Sequence, residues 1–287
     1  CEVGRQAAGR GRPSHVLSLD GSGGVVLAAD LGAAHVTLAL CDLTGRPLAE
    51  AVHDVRLADG PDPVLDWVEQ RWREMLEAAG IAEHRVLGVG VCVPGPVDVR
   101  EGCVPHHTPG MPGWQGMSLS ARLGTAFGVP CVVDNDANAM AFGEYMTLGT
   151  TAAERSLSSP LLFVKTSTGI GAGMVVDGAV LRGAEAGEGD LGHVRITSAE
   201  DGPSCVCGRR GCLAASASGR ALARALQEQG IDAPDSRSVV ELALAGREEA
   251  TRLVRESGLM VGDVLATAVS LLNPAVLVLG GDLGLVH

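Results

Sequence analysis

The feature that most constrains the fold is a strand, a glycine-containing turn and a second strand, which occur in both halves of the chain. In the first half, apolar runs at 25–30 and 36–40 flank Leu31-Gly32; in the second, an apolar run at 161–164 precedes a glycine-rich turn at 167–173. Segments with helical spacing follow in each half. This alternation predicts an α/β protein in which a mixed sheet is flanked by helices in each of two lobes.

The length of the chain and the position of its Gly-rich segments suggest a linker and two lobes. Residues 1–24 are rich in Gly and Arg and show no strand or helix period, which predicts a linker or tail. Residues 25–146 are expected to form an N-terminal lobe and residues 147–287 a C-terminal lobe. Because the last predicted strand, at 275–279, has no helix after it to cover it, we expect the C-terminal lobe to be truncated.

The net charge and the apolar content of the chain limit which classes of binding partner are expected. The formal net charge is −12, and a surface of that sign repels phosphate backbones, so this chain is not expected to grip DNA by itself. The sequence contains neither an apolar run of about 18 residues nor the apolar core of a signal peptide. We therefore expect a cytoplasmic protein with no membrane partner.

A polar segment interrupts the apolar pattern where a strand is predicted to lead into a helix. Asp134, Asn135, Asp136 and Asn138 follow the buried run that ends at Val133. One interpretation is a ligand site, where a sugar hydroxyl is held and deprotonated near free backbone N–H groups. The other is a simple Asp/Asn cap that begins the helix.

A cysteine cluster indicates a metal. His193 precedes Cys205, Cys207 and Cys212, which gives one imidazole and three thiols within twenty residues. This is the ligand set of a closed tetrahedral zinc site, and Gly208 and Gly211 allow a tight fold around the ion. A reduced structural cluster or a redox pair is the alternative. Since protein groups take all four positions, a Zn²⁺ ion here is expected to be structural.

Together these motifs resemble the ROK family of bacterial repressors and sugar kinases. The resemblance covers about 25–281 and rests on 133–144, the turn at 167–173, Gly192-His193 and the Cys-x-Cys-Gly-x-x-Gly-Cys run. It implies a two-lobed actin-like fold, of the hexokinase and ribonuclease H type, with sugar bound between the lobes and a small zinc-binding loop. It also implies a homo-oligomer.

The resemblance assigns roles to individual residues. It makes Asp136 the general base that removes a proton from a sugar hydroxyl in the kinases. The ligand contacts it implies are Gly95, Asn135, Asp136, Asp190 and His193. The nucleotide contacts it implies are Asp30, Gly32, Thr168, Gly169, Gly171, Gly280 and Gly281. Tight turns would also require these glycines without any nucleotide.

Three departures from the family pattern favour a regulator over a kinase. Ala33 and Ala34 replace the Gly-Thr of the ATP-phosphate loop, Asp190 replaces a sugar-contacting Glu, and Ala214 replaces a second Glu. Each lost charge-assisted hydrogen bond costs roughly 1.5–3 kcal/mol. The resulting prediction is the sugar-sensing, effector-binding domain of a ROK-type transcriptional regulator. In this interpretation Asp136 is a vestigial base.

The partners follow from that interpretation. The regulator is expected to bind a sugar or sugar derivative, and to reach DNA only through an N-terminal winged helix-turn-helix domain missing from this sequence. Gly11-Arg12-Pro13-Ser14 resembles the linker that follows such a domain. The alternative is a glucokinase-like sugar kinase that uses ATP and Mg²⁺ with Asp136 as base.

Overall fold

The computed structural model describes residues 2–6, 14–17, 19–33, 35–106, 108–149 and 151–286. Within them the strands are β1 (Glu2–Gln6), β2 (Ser14–Leu17), β3 (Val25–Leu31), β4 (Val36–Asp42), β5 (Pro47–His53), β6 (Val86–Val93), β7 (Cys131–Asn135), β8 (Leu161–Thr166), β9 (Ile170–Val176), β10 (Ala179–Val180) and β11 (Val276–Gly280). The α-helices of the same residues are α1 (Pro61–Ala78), α2 (Leu119–Phe127), α3 (Asp136–Thr147), α4 (Ala152–Ser156), α5 (Leu213–Ala217), α6 (Gly219–Glu228), α7 (Ser236–Leu244) and α8 (Glu248–Leu272).

The chain divides into two compact units. The first comprises Cys1–Val93 and Val99–Val133, and the second comprises Pro94–Asp98 and Asp134–His287. The predicted boundary lay at 146/147, but α3 belongs to the second unit because Ala141 and Tyr145 pack in one core cluster with residues of β8 and β9.

The first unit is built on a five-stranded mixed sheet. Its strand order is β5-β4-β3-β6-β7, with β3 antiparallel to β4 and parallel to β6. Alternate residues of β3 and β4 are buried, as the apolar pattern of both strands predicts. Helix α1 packs against β4 and buries Trp72 completely.

The second unit is built on a four-stranded mixed sheet. Its order is β10-β9-β8-β11, with β8 antiparallel to β9 and parallel to β11. Strand β8 is buried along almost its whole length, which explains its uninterrupted apolar run. Leu162 and Val164 pack with Leu213 of α5 and with Val261 and Leu265 of α8. The prediction of an α/β protein with two mixed sheets and flanking helices is confirmed.

Two details of the sequence interpretation were wrong. The glycine-rich turn is shorter than 167–173, because β9 begins at Ile170 and includes Gly173, where an added Cβ would lie 2.8 Å from the Ala141 side chain of α3. Residues 1–24 were expected to lack strands, yet β1 and β2 form an antiparallel pair. Residues 7–13, which hold most of the Gly/Arg-rich linker motif, lie outside the described residues.

No helix in the described part of the chain combines the length and the apolar character needed to cross a bilayer.

Candidate functional site

The segment at the start of α3 is held by Asn135. Its Oδ1 accepts the backbone N–H groups of Ala137 at 2.9 Å and Asn138 at 3.2 Å, so it caps the helix. Its Nδ2 donates to the carbonyl oxygen of Gly95 at 3.0 Å, which brings two of the predicted ligand contacts together. The cap is therefore present, and ligand contact by Asn135 stays a prediction.

Asp136 is engaged at both carboxylate oxygens. Oδ1 accepts the N–H of Ala137 at 2.7 Å, and Oδ2 lies 2.6 Å from Nζ of Lys165 in β8. The two side chains are only 12% and 16% exposed, so the ion pair is largely shielded from solvent. We did not predict Lys165 as a site residue. A signal for it was available, because it is the only lysine in a sequence whose other basic residues are all arginine.

A second set of contacts ties the segment at 182–188 to the start of α3. Arg182 donates from Nη1 and Nη2 to Oδ1 and Oδ2 of Asp134, at 2.9 and 2.6 Å. The hydrogen bond to Asp134 raises the pKa of the Arg182 guanidinium, against the effect of burial. Glu188 accepts from Nδ2 of Asn138 at 2.9 Å and from the backbone N–H of Gly183 at 3.0 Å. The helix start is thereby surrounded by charged groups that sequence spacing does not bring together.

Buried Asn138 leaves one acceptor open. The residue is 2% exposed, and among the described residues its Oδ1 has no hydrogen-bond partner. A buried carbonyl oxygen of this kind is ordinarily satisfied by an ordered water or a ligand hydroxyl.

Asp190 and His193 lie beside each other, with Oδ1 of Asp190 3.9 Å from Nε2 of His193. Burial raises the pKa of the Asp190 carboxyl, although the neighbouring His193 and Arg209 act in the opposite direction. The other ring nitrogen of His193, Nδ1, is 3.3 Å from Sγ of Cys205. His193 therefore joins the predicted sugar contact Asp190 to the cysteine cluster.

The four predicted metal ligands converge. One ligand atom from each of His193, Cys205, Cys207 and Cys212 lies within 4.8 Å of the others. The Sγ atoms of Cys207 and Cys212 are 3.8 Å apart. Two thiolates on one tetrahedral Zn²⁺, with Zn–S bonds of about 2.3 Å, stand at about that separation. The donor set and its spacing fit a structural zinc ion.

The thiols of this cluster differ in acidity. Burial acts to raise the pKa of Cys207, but hydrogen bonds from Arg209 lower it to about 7. Burial and hydrogen bonds with Cys207 and Cys205 raise the pKa of Cys212 to about 12. A metal ion would have to displace the proton of Cys212 in order to bind it.

Three of the predicted nucleotide contacts of the second unit, Thr168, Gly169 and Gly281, are close in the sequence to the hydrogen-bonded residues Ser167 and Asp282. Thr168 and Gly169 form the turn from β8 to β9, and Gly281 follows β11 with a φ of 84°. An added Cβ on Gly281 would lie 2.6 Å from the carbonyl oxygen of Thr166. Oδ2 of Asp282 accepts from the hydroxyl groups of Ser167 at 2.5 Å and Ser236 at 2.6 Å.

The remaining predicted nucleotide contacts lie in strands or directly after a strand. Gly171 is part of β9, and Gly280 ends β11, where the ring of Phe163 leaves no room for a Cβ. In the first unit Asp30 lies near the end of β3, and an added Cβ on Gly32 would lie 2.8 Å from the carbonyl oxygen of His35. Gly32, Gly280 and Gly281 thus each have a steric reason to be glycine. Ala34 lies outside the described residues.

Comparison with known proteins places the chain in a family of repressors and sugar kinases. The xylose repressor of Bacillus spizizenii is 26% identical over 280 residues, which cover 97% of this chain and 69% of the repressor. Among solved structures, the ROK hexokinase from Thermus thermophilus is 34% identical with a TM-score of 0.68, covering 91% of this chain and 83% of the hexokinase. A ROK family transcriptional regulator, a homologue of the E. coli MLC protein, is 26% identical with a TM-score of 0.75, covering 96% of this chain and 69% of the regulator.

The family model described as "ROK family" matches residues 26–287. With that match and these relatives, the chain belongs to the ROK family.

Proposed function

We propose that this chain is the sugar-sensing, effector-binding domain of a ROK-type transcriptional regulator and does not transfer phosphate. The proposal is based on the contacts of the two carboxylate oxygens of Asp136, the residue in the position of the general base. Its Oδ2 is 2.6 Å from the Lys165 ammonium, and its Oδ1 already accepts a backbone N–H. A general base needs an oxygen that can take the substrate proton. In this arrangement Asp136 accepts a hydrogen bond from a bound hydroxyl group, while the proton stays on that hydroxyl.

The glycine-rich turn supports the same proposal. A turn that binds a nucleotide phosphate offers hydroxyl and N–H donors to the anion. The Ser167 hydroxyl is instead donated to Asp282, which also brings a negative charge to the turn. A carboxylate at this position repels a triphosphate, so ATP and Mg²⁺ are not part of the proposed function.

The proposed ligand contacts are Gly95, Asn135, Asp136, Asp190 and His193. Structural Zn²⁺, held by His193, Cys205, Cys207 and Cys212, would fix the orientation of the His193 ring, because one ring nitrogen faces the thiols and the other faces Asp190. The ion supplies folding free energy to the loop and leaves no coordination position for a reactant.

In this proposal the protein works in the cytoplasm as a homo-oligomer. DNA would be contacted by a winged helix-turn-helix domain joined to this one, since a net charge of −12 disfavours DNA binding by the effector domain. Sugar binding would shift the regulator between conformations of different DNA affinity.

Isothermal titration of the purified chain tests the proposal directly. We would titrate D-xylose, D-glucose, D-glucose 6-phosphate and ATP with Mg²⁺, and measure sugar-dependent ADP release in parallel. We expect saturable sugar binding without ATP binding or ADP release. In Asp136→Asn, sugar affinity should fall by about 10-fold or more, the loss of one charge-assisted hydrogen bond. Asp263→Asn, on an exposed part of α8, is the matched control.

The second candidate is an ATP-dependent hexose kinase. It is favoured by the hexokinase among the relatives and by the retention of Asp136 in the position of the base. ATP binding together with sugar-dependent ADP release that is lost in Asp136→Asn would establish the kinase and contradict the regulator.

A further inference from the structure

Lys165 is a singular residue both in the sequence and in the site. The chain contains 22 basic residues, and Lys165 is the only lysine among them. It lies near the end of β8, 16% exposed, with its ammonium 2.6 Å from Asp136. Neither the sequence motifs nor the family relationship used above assigns it a role.

Stability does not account for such a residue. Removing two charges from water costs several kcal/mol per ion, and an apolar pair of similar volume is often as stable or more so. An arginine, the basic residue used everywhere else in the chain, would carry the same charge in a planar fork. A lysine differs by presenting a compact ammonium with three donors on a flexible stem. Lys165 therefore provides a small cation with several hydrogen-bond donors at this position.

The charges around the start of α3 indicate what that cation can recognise. Asp136 pairs with Lys165, Asp134 pairs with Arg182, and Glu188 is bonded to Asn138. The two ion pairs are each neutral and Glu188 adds one negative charge, so an anionic ligand is disfavoured here. A carboxylate and an ammonium side by side offer one acceptor and one donor, which matches two neighbouring hydroxyl groups of a sugar.

We propose that Lys165 is a ligand-contacting residue that, together with Asp136, recognises a pair of vicinal hydroxyl groups on an uncharged sugar. One hydroxyl donates to the Asp136 carboxylate while its neighbour accepts from the Lys165 ammonium. The inference rests on the proposed function, because it requires a sugar at Asp136. It adds a donor residue to the site and excludes sugar phosphates as the preferred ligand.

The single lysine makes a direct test possible. Protein produced with [ε-¹³C]lysine carries one labelled side-chain methylene, next to the ammonium of Lys165. D-xylose and D-glucose are titrated against the wild-type chain while its ¹³C resonance is followed. We expect the resonance to move and to saturate at the dissociation constant measured by calorimetry. Saturable sugar binding that leaves the resonance unmoved overturns the inference and leaves the proposed function standing.

Deoxy sugars separate contact from a merely structural role. The singly deoxygenated analogues of the sugar that binds are titrated against the wild type, Lys165→Met and Lys165→Arg. We expect one analogue to lose about 10-fold or more in wild-type affinity and to lose no further affinity in Lys165→Met, as two changes to one contact should behave. Equal and additive losses for every analogue would overturn the inference.

A control and a ligand comparison complete the experiment. Arg252→Met breaks an exposed ion pair with Glu256 on α8 and should leave all sugar affinities unchanged. Wild-type preference for D-glucose 6-phosphate over D-glucose overturns the inference. If Lys165→Met does not fold, the labelled wild-type titration decides alone. If no sugar of the panel binds the wild type, the proposed function fails and this inference fails with it.

Discussion

Arg182 holds Asp134 through two parallel hydrogen bonds, 2.9 Å from Nη1 to Oδ1 and 2.6 Å from Nη2 to Oδ2. Oδ1 of Asp134 also accepts the backbone N–H of Asn135 at 2.7 Å. Arg182 therefore acts on the proposed site through Asp134, as a positioning residue for the peptide that carries Asn135. A fork of this geometry combines orientation with charge, which a lysine could not reproduce.

Replacement of Arg182 should weaken ligand binding more than it weakens the fold. We expect Arg182→Met to lower the free energy of unfolding by only about 1 kcal/mol, because the pair is partly exposed and screened. Sugar affinity should fall several-fold, since Asn135 loses its fixed approach to Gly95. Denaturant unfolding and calorimetry measure the two effects. Arg182→Lys should keep the stability but not the affinity; full affinity in that variant would contradict a positioning role.

Zinc should be stoichiometric and structural. Metal analysis of protein purified under reducing conditions is expected to give one zinc per chain, and Cys205→Ser or Cys212→Ser should remove it. The midpoint of thermal unfolding should fall in both variants and on chelation, because metal binding contributes folding free energy. Cys41→Ser, which changes a half-buried thiol of β4, serves as the control. Wild-type protein without zinc that unfolds at the same temperature as zinc-loaded protein would exclude the site.

Asp282 should stabilise the second unit. Its carboxylate joins the turn after β8, through Ser167, to the first residue of α7, through Ser236. We expect Asp282→Ala to lower the free energy of unfolding by about 1–3 kcal/mol, because two hydroxyl groups lose a charged acceptor. Chemical denaturation measures the change. Ser167→Ala removes only one of the two bonds to Asp282 and should cost less; an equal or larger loss would show that the carboxylate is not the common acceptor.

Features formed by residues close together in the sequence could be predicted, whereas contacts between distant residues could not. β3, β4 and α2 follow from nearest-neighbour patterns of apolar residues, and the zinc ligands lie within twenty residues of one another. The junction at Asn135 and Asp136 was recognised because capping chemistry and family motif coincide in a few residues. Lys165 is 29 residues from Asp136 and Arg182 is 48 residues from Asp134. No periodicity links such positions, since strand pairing and helix packing decide which side chains meet.

The same limit applies to the first residues and to the glycine turn. Strands β1 and β2 are not signalled by alternating apolar residues, so composition alone suggested a linker. At Gly173 the pattern suggested a turn because glycine is common there, whereas the close packing of α3 requires it within a strand. In both cases the deciding interaction lies outside the local sequence.

The cap of α7 should confer a pH-dependent part of the stability. Asp235 accepts the backbone N–H of Ser238 at 2.8 Å and its hydroxyl at 2.7 Å. Burial acts to raise the pKa of Asp235, but these hydrogen bonds hold it below the ordinary value. A carboxyl whose pKa is lowered by folding stabilises the protein above its unfolded pKa, and this contribution is lost as pH falls through the folded pKa.

Asp235→Ala should therefore cost about 1 kcal/mol at pH 7, the usual effect of removing a cap. The difference between wild type and variant should shrink as the pH falls below about 4, the unfolded value for Asp. Urea unfolding at both ends of that range measures it. Asp235→Asn retains a capping oxygen, so it should be more stable than Asp235→Ala by an amount that does not depend on pH. A cost in Asp235→Ala that stays constant with pH would contradict the contribution of the carboxylate.

Gly189 should be far less tolerant of substitution than its neighbour Gly187. Gly189 has a φ of 72°, and an added Cβ would overlap the carbonyl oxygen of Ala172. The backbone N–H of Ala172 donates to the carbonyl oxygen of Gly189 at 2.8 Å, so the loop cannot move away without breaking that bond.

We expect Gly189→Ala to lower the free energy of unfolding by about 2 kcal/mol or more, from backbone strain and steric overlap together. An added Cβ on Gly187 meets no atom within 4 Å, so Gly187→Ala should change stability by less than about 0.5 kcal/mol. Because Glu188 and Asp190 flank Gly189, the first substitution should also weaken sugar binding, as calorimetry would record. Equal stability of the two variants would show that the loop relaxes at little cost and that its conformation does not hold the site.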